Sequence, residues 1–251
     1  MKKFVLIILL CIPFISCSNK KDLDLSQSEF VFIKPGTYKI GSPVGERDRW
    51  PKGQEDIRNV KTNGFYMSKT EITEEQYYSV VDPDHPIDTS ANLPVVNITW
   101  IEALQYCNLR SSKEGLSEVY VIPAKDEITL NDITVNEDAN GYRLPTIDEW
   151  EIACRAGTRT TYYTGKKITH KQANFDSDGR MPVASFPPNK FGLYDMSGNV
   201  DEWCYRDEYF ILVKGGSWKN NVYSIRSSSI WFARISEKND YTGFRIIKYD
   251  L

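Results

Sequence analysis

The sequence predicts a single domain of the α+β class, with short strands, three helices and a long irregular second half. Three segments begin with Thr followed three residues later by Glu or Gln, at Thr73, Thr99 and Thr146. In such a capping box the Thr hydroxyl binds the backbone amide three residues on, and the Glu or Gln side chain reaches back. Each segment is therefore predicted to start a helix. Apolar, β-favouring runs predict strands ahead of the first helix, at residues 30–33, 37–41 and 64–69.

The elements after the first helix follow from spacing and composition. The second helix is predicted to run to about Ser112, and residues 114–140 resemble a hairpin insertion. From Gly157 onward Gly, Asn, Asp, Ser and aromatic residues dominate, with only short β-like runs such as 210–213 and 243–247. A long irregular stretch must satisfy its backbone groups with side chains, waters or ions, which is a reason to look for metal ligands. The inward positions expected on the second helix are Ile101, Leu104, Cys107 and Leu109.

Composition excludes several classes of protein. The 251 residues are 41% hydrophobic and 26% charged, and the 15 Tyr, 11 Phe and 6 Trp are too many for a disordered chain. A net charge of -3 gives no electrostatic reason to expect a nucleic-acid partner. The two histidines, His85 and His170, cannot form a three-histidine metal centre and leave little material for a Ser-His-Asp triad.

The N-terminus has the pattern of an export signal. Lys2 and Lys3 precede an apolar run over residues 4–15, which is too short to span a membrane but suits a secretory signal. Ser16-Cys17 at the end of this run resembles a bacterial lipobox, in which the Cys is acylated and becomes the mature N-terminus. The alternative is an ordinary signal peptide that contains a cysteine. We expect residues 1–16 to be a signal peptide, residues 17–29 a lipidated tether, and residues 30–251 one domain.

The other cysteines are expected to be structural. If Cys11 is removed and Cys17 is lipidated, an odd number remains, so that at most one disulfide can form. No Cys-x-x-Cys pair is present to suggest a zinc ribbon or a thioredoxin-like site. Free cysteines are usually buried and pack as small apolar side chains. The three that remain are Cys107, Cys154 and Cys204.

Six motifs resemble those of the sulfatase-modifying-factor family, which includes the formylglycine-generating enzymes. They occur in the family's order and cover the chain from about residue 30 to residue 247. The resemblance implies a variant of the C-type-lectin-like fold, with small antiparallel sheets, few helices and much irregular chain. The motifs are LPVVNITW at 93–100, GYRLPT-DEWE at 141–151, ACRAGT at 153–158, FGLYDMSGNV-EW at 191–203, KGGSW at 214–218 and GFR at 243–245.

The family's chemistry implies copper held by two Cys thiolates, three and eight residues beyond the Ser of the Gly-Gly-Ser segment. Counted from Ser217, these positions hold Asn220 and Ile225. A Tyr and a Trp of the family's site are replaced by Ser224 and Asp201. Since neither an amide nor an alkyl group replaces a thiolate, the resemblance predicts a domain that has lost its copper site.

A second branch of the family uses non-haem iron, with histidines drawn from an added helical domain that this chain lacks. Iron is therefore not expected. The resemblance also maps family arginines onto Arg226, Arg234 and Arg245, for which bidentate ion pairs with carboxylates at the edge of the core are expected rather than substrate binding.

Structural calcium is the metal that the resemblance implies, because hard oxygen ligands do carry over. One set comprises the side chains of Asp195 and Glu202 with the carbonyls of Gly198 and Val200. Without the family, the second set reads equally well as a solvated acidic turn. That set comprises the side chains of Asn174 and Asp178 with the carbonyls of Phe175 and Arg180.

Two functional hypotheses remain. The first is a lipid-anchored protein of the bacterial envelope, on the outer membrane, whose inactive domain binds or assembles with an unidentified protein or glycan. The second is a protein-modifying oxidoreductase with a site rebuilt near Ser217, Asp201, Asn220 and Arg226. Both place the chain at the membrane through Cys17, and neither involves nucleic acid.

Overall fold

Three α-helices, all where the capping boxes predict them, form the helical part of the described chain. The structure is a computed structural model that describes residues 29–50, 53–205 and 210–249. In α1 the Thr73 backbone amide donates to Gln76 at 2.9 Å, while the Gln76 amide donates to the Thr73 hydroxyl at 3.2 Å. The same reciprocal bonds start the other two helices. The bounds are α1 Glu74–Val81, α2 Trp100–Lys113 and α3 Ile147–Arg155.

Within the described residues, the strands are short and form four small sheets. A three-stranded sheet has the order β1-β4-β11 and a four-stranded sheet the order β10-β7-β8-β9, while β2 pairs with β3 and β5 with β6. All pairs are antiparallel except β7 with β10, so the expectation of antiparallel sheets misses one parallel pair. The strands are β1 Phe30–Ile33, β2 Gly36–Ile40, β3 Arg58–Thr62, β4 Phe65–Ser68, β5 Tyr120–Val121, β6 Thr134–Val135, β7 Asp201–Trp203, β8 Ile211–Lys214, β9 Trp231–Ala233, β10 Thr242–Gly243 and β11 Ile247–Lys248.

Two apolar clusters form most of the core. One surrounds α2, with Trp100, Tyr106 and Phe244 among its buried members. The other surrounds α3, with Trp150 and Met196. The predicted inward face of α2 is confirmed at Leu104 and Cys107, but Leu109 is 44% exposed, so that part of the prediction was wrong.

The predicted N-terminal features lie outside the described residues, since residues 1–28 include both the signal segment and Cys17. No helix of the described part is long and apolar enough to cross a membrane.

Candidate functional site

The loops that carry the predicted site run side by side through the irregular half of the chain. The Gly198 amide donates to the Gly215 carbonyl at 3.0 Å, and the Trp218 amide to the Asn199 carbonyl at 2.9 Å. Gly198 has a φ of 81°, and a Cβ built there would lie 2.1 Å from the Asn174 carbonyl oxygen. Only glycine fits this approach, which holds the residue 174 turn against the other two loops.

Three of the predicted site residues are brought together at the start of β7. The amide and hydroxyl of Ser217 both donate to Asn220 Oδ1, at 2.8 and 3.0 Å. Asp201 is buried beside them, and its Oδ1 has no hydrogen-bond partner among the described residues. Burial raises the pKa of Asp201 to about 7, although its contacts with the Ser217 side chain and the Gly216 amide oppose the shift.

The remaining positions of the family's site pack against Gly216 or have other partners. Ile225 is fully buried in an apolar cluster with Tyr162 and Phe175. The Arg226 guanidinium donates to Glu55 Oε2 at 2.8 Å and to Glu46 Oε1 at 3.0 Å. Ser224 lies between Tyr223 and Ile225 and is half-buried. Arg226 therefore fixes the loop around Glu55, a contact that sequence reasoning missed.

The donor atoms that are present do not fit a Cu(I) thiolate centre. Cys107, Cys154 and Cys204 are unpaired and buried, as expected. Burial raises the pKa of the Cys154 thiol to about 11 and those of the Cys107 and Cys204 thiols well above their usual range. A metal ligand must be the deprotonated thiolate, which such burial disfavours. Within the described residues, no group of three or more His, Cys, Asp or Glu side chains is arranged to hold a metal ion.

In the first predicted calcium set, the Glu202 carboxylate is already paired with a guanidinium. Glu202 is fully buried, and the Arg245 guanidinium donates to its two oxygens at 2.6 and 2.7 Å. The Trp150 indole donates to the same carboxylate at 2.6 Å. A cation at Glu202 would have to share that carboxylate with a guanidinium, so Glu202 does not fit the role of a calcium ligand well.

Asp195 differs from Glu202 because one of its oxygens is left without a partner. Its Oδ2 accepts the Ala184 amide at 2.7 Å, while Oδ1 is buried with no hydrogen-bond partner among the described residues. Burial raises the pKa of Asp195 to about 6. The neighbouring carboxyl of Glu71, which sequence reasoning missed, interacts with the Asp195 side chain and opposes this shift. Because the Glu71 carboxyl interacts with Asp195, Oδ1 can be completed by a proton that the two carboxyls share as well as by a cation.

In the second predicted calcium set, the Asn174 side chain is satisfied by groups of its own turn. Asn174 Oδ1 accepts the Ser177 hydroxyl at 2.6 Å, and its amide nitrogen donates to the Gly179 carbonyl at 2.9 Å. Arg180 pairs with Glu74 at 2.6 Å. The predicted ligands at Phe175 and Arg180 are backbone carbonyls, which side-chain contacts do not occupy, so the bonds described here commit Asn174 alone. Phe175 is buried and stacks on His170, with ring centroids 4.2 Å apart.

Comparison with known proteins identifies the family. The sulfatase-modifying factor enzyme 1-like domain matches residues 18–249. The chain belongs to the sulfatase-modifying-factor family. It is 30% identical over 246 residues to chaperone protein LppX of Paenibacillus barcinonensis, covering 82% of this chain and 84% of that protein. It is also 30% identical over 156 residues to inactive C-alpha-formylglycine-generating enzyme 2 of Bos taurus, covering 54% of this chain and 42% of that one.

The fold agrees with this membership. Treponema denticola variable protein 1 superimposes with a TM-score of 0.72 at 21% identity, covering 87% of this chain and 94% of that structure. The family's variant of the C-type-lectin-like fold is therefore confirmed, with three helices and small sheets in the described chain.

Proposed function

We propose that this sulfatase-modifying-factor domain is a non-catalytic binding or assembly module that a lipid on Cys17 anchors to the bacterial envelope, on the outer membrane. One observation carries the non-catalytic part. The two positions at which the family holds copper are filled by Asn220, which is hydrogen-bonded to Ser217, and by Ile225, which is packed in an apolar cluster. Two relatives support it, since one is named a chaperone and another an inactive enzyme.

The copper experiment tests this proposal directly. The purified protein is incubated with Cu(I), oxygen and a cysteine-containing sulfatase peptide, and the peptide mass is followed. We expect no conversion of the thiol to an aldehyde, since the part of the chain that the structure describes holds no thiolate pair for Cu(I). Asn220→Cys with Ile225→Cys is the matched variant, which restores the ligand types at the family's spacing. Formylglycine in the peptide treated with wild-type protein would overturn the proposal.

Anchoring is tested by Cys17→Ala. The variant should move from the membrane fraction to the soluble fraction, because acyl chains rather than a spanning helix would hold the protein. Cys11→Ala is the matched control and should leave the distribution unchanged. A Cys17→Ala protein that still sediments with membranes and resists carbonate extraction contradicts the anchoring proposal.

The binding partner is proposed to be a protein or a glycan of the envelope. Crosslinking of the anchored wild-type protein in intact cells, compared with the released Cys17→Ala variant, tests this. If the domain itself holds the partner, the anchored wild type should crosslink to it in cells. The released Cys17→Ala protein should crosslink to the same partner once it is added back to isolated envelopes. Adducts that depend only on the lipid would contradict the proposal.

One observation favours a second candidate, a protein-modifying enzyme with a rebuilt site. Asp201 carries a buried oxygen without a partner in the described chain, next to the Ser217 hydroxyl. A carboxyl whose pKa lies near neutrality suits proton transfer. Asp201→Asn should then abolish any modification of envelope proteins that the wild type performs. If mass spectrometry finds no wild-type-dependent modification, this candidate fails.

Structural calcium in the irregular half is part of the proposal, with Asp195 as a ligand. A ligand that binds only the folded state raises stability, so chelation should lower the melting temperature. Asp195→Ala should remove that sensitivity. Identical melting curves with and without chelator would contradict the proposal. The turn at Asn174 and Asp178 is the second candidate position.

A further inference from the structure

A cluster of buried charges at the C-terminal end of α3 holds more cations than carboxylates. Arg155, the last residue of α3, is 3% exposed, and its Nε donates to Glu151 Oε1 at 2.7 Å. Lys214 is fully buried, and its Nζ donates to Glu151 Oε2 at 3.2 Å. Within the described residues, Glu151 is the only carboxylate that forms an ion pair with either cation. Because buried charges need partners, a second negative charge at this cluster is expected to stabilise it.

The surrounding backbone does not supply that charge. The negative end of a helix dipole amounts to about half an elementary charge. Arg155 donates to two backbone carbonyls, that of Thr160 at 3.0 Å and that of Gly41 at 2.8 Å. A guanidinium has five N–H groups, and the described part of the chain offers no acceptor for the other two. Arg155 therefore keeps donors for an anion.

Two small cavities between β2 and the end of α3 give access to this guanidinium. Their volumes are about 210 and 180 Å³, and both are lined by Arg155 together with Lys39, Ile40 and Arg159. Sites for drug-sized ligands have volumes of about 300–1,000 Å³. The cavities are therefore suited to a small ion or to the headgroup of a larger molecule.

The residues that the two cavities share add further positive charge. Lys39 lies on β2 and Arg159 follows α3, and both are exposed. Neither has an ion-pair partner in the part of the chain that the structure describes. The chain as a whole carries a net charge of -3, so this local excess of cations does not follow from composition. A negatively charged ligand is the one that complements the cavities.

We propose that these two cavities, the Arg155 site, bind a phosphate group. A phosphate monoester carries a charge of about −1.5 to −2 at pH 7 and three strong acceptor oxygens, whereas a carboxylate carries one charge. The planar fork of an arginine matches phosphate oxygens in geometry. Two sources carry this chemistry, free phosphate and a lipid with a phosphate monoester headgroup. The site is separate from Ser217 and does not depend on a lipid at Cys17.

Titration calorimetry of the full chain with inorganic phosphate tests the site, in about 0.1 M salt, which screens scattered surface charges. Lys39→Gln and Arg159→Gln should each weaken binding by about three- to fivefold, as expected for exposed ion pairs, and the double variant by about tenfold or more. Lys113→Gln, which changes an exposed lysine on α2, is the matched control and should bind like the wild type. All variants should melt at the wild-type temperature without phosphate, because the two side chains make no hydrogen bond or ion pair within the described residues.

Vesicles distinguish the two sources of phosphate. The Cys17→Ala protein is used, so that no acyl chain contributes, and is sedimented with phosphatidylcholine vesicles that contain phosphatidic acid, a monoester, or phosphatidylglycerol, a diester. Preferential binding to phosphatidic acid that Lys39→Gln with Arg159→Gln abolishes assigns the site to a lipid phosphate. Binding of inorganic phosphate without this preference assigns it to the free ion.

Three results would overturn the inference. The first is the absence of binding in both assays, and the second is equal binding by the wild type and the double variant. The third is equal binding to both kinds of vesicle with no binding of inorganic phosphate, which would show attraction to any anionic surface. None of these results bears on the peptide assay of catalytic function or on the fractionation of the Cys17→Ala variant.

Discussion

The hydrogen bonds that start the helices join residues close in sequence, whereas those that hold the irregular half join residues far apart in sequence. The capping bonds of α1, α2 and α3 join residues three positions apart. In the irregular half, Arg226 bonds to Glu55 across 171 positions, and Asn199 bonds to Glu71 across 128. The helices therefore carry their own start signals, while the site depends on partners that the local sequence does not reveal.

This difference has an energetic consequence. An exposed ion pair or a helix-capping hydrogen bond contributes about 1 kcal/mol or less to the free energy of unfolding. Removing one member of a buried ion pair costs more, about 3–5 kcal/mol, because it leaves an uncompensated buried charge. Single substitutions should thus harm the irregular half more than the helices.

The largest effect is expected from Arg226→Met. The substitution leaves the fully buried Glu55 carboxylate without its cation, which costs about 3–5 kcal/mol in comparable buried pairs. The loss is measured as the change in the free energy of unfolding by urea. Adding Glu55→Gln to this variant removes the stranded charge and should recover part of the stability. A loss below about 1 kcal/mol for the single variant would contradict the ranking.

The pH dependence of that loss is the second prediction. Burial alone would raise the pKa of Glu55, but hydrogen bonds and charge from Arg226 outweigh it and hold the pKa below the ordinary 4.5. In the wild type this contribution is present above about pH 4.5 and is lost as the pH falls through the lowered folded-state pKa. In Arg226→Met, burial of the Glu55 carboxyl is no longer offset by the guanidinium. The folded-state pKa of Glu55 is then raised, and the free energy of unfolding of the variant falls as the pH rises.

The gap in unfolding free energy between wild type and Arg226→Met should consequently narrow from about pH 7 to about pH 4. Urea unfolding at a series of pH values measures it. Lys238→Met, which alters an exposed pair, serves as the control whose gap should stay small throughout. A gap for Arg226→Met that does not change with pH would show that lost packing, rather than the stranded carboxylate, causes the destabilisation.

The same difference in distance explains how much of the fold the sequence could predict. The three capping boxes placed the helix starts correctly, because those signals are local. Leu109 was assigned inward wrongly, since it lies about 200° around the helix from Cys107. Ser111 occupies the inward position instead, where its hydroxyl donates to the Cys107 carbonyl at 2.7 Å and accepts the Tyr142 amide at 2.8 Å.

The candidate site was predictable only where the family pattern reached it. The motif positions predict that Ser217 lies near Asp201, and the structure brings these two residues together with Asn220. Glu71 had no such pattern, and its only local signal is a charged residue directly before the buried Ile72. Whether a buried carboxylate has a partner depends on a segment more than a hundred residues away, which composition and spacing do not specify.

A smaller effect is expected from Thr146→Ala at the start of α3. The substitution removes the hydroxyl that accepts the Glu149 amide at 3.2 Å, and loss of such a cap costs about 1 kcal/mol. Urea unfolding measures it, with Thr146→Ser as the control that keeps the hydroxyl. A loss as large as that of Arg226→Met would show that the helix ends are as critical as the buried pairs.

The smallest effect is expected from Lys238→Met. Lys238 donates to Glu102 at 3.3 and 3.4 Å, but the lysine is exposed, and Glu102 already accepts the Thr99 amide at 2.6 Å in the capping box of α2. Water and salt screen such a pair, so the unfolding free energy should change by no more than about 0.5 kcal/mol, and less at high salt. Glu102→Gln is the informative comparison, because the amide keeps the capping acceptor while losing the ion pair. If both variants lose more than about 1 kcal/mol, the contact between α2 and the irregular half contributes more than exposed pairs usually do. The stability of α2 would then depend on a contact far away in sequence, and not on its local capping bonds alone.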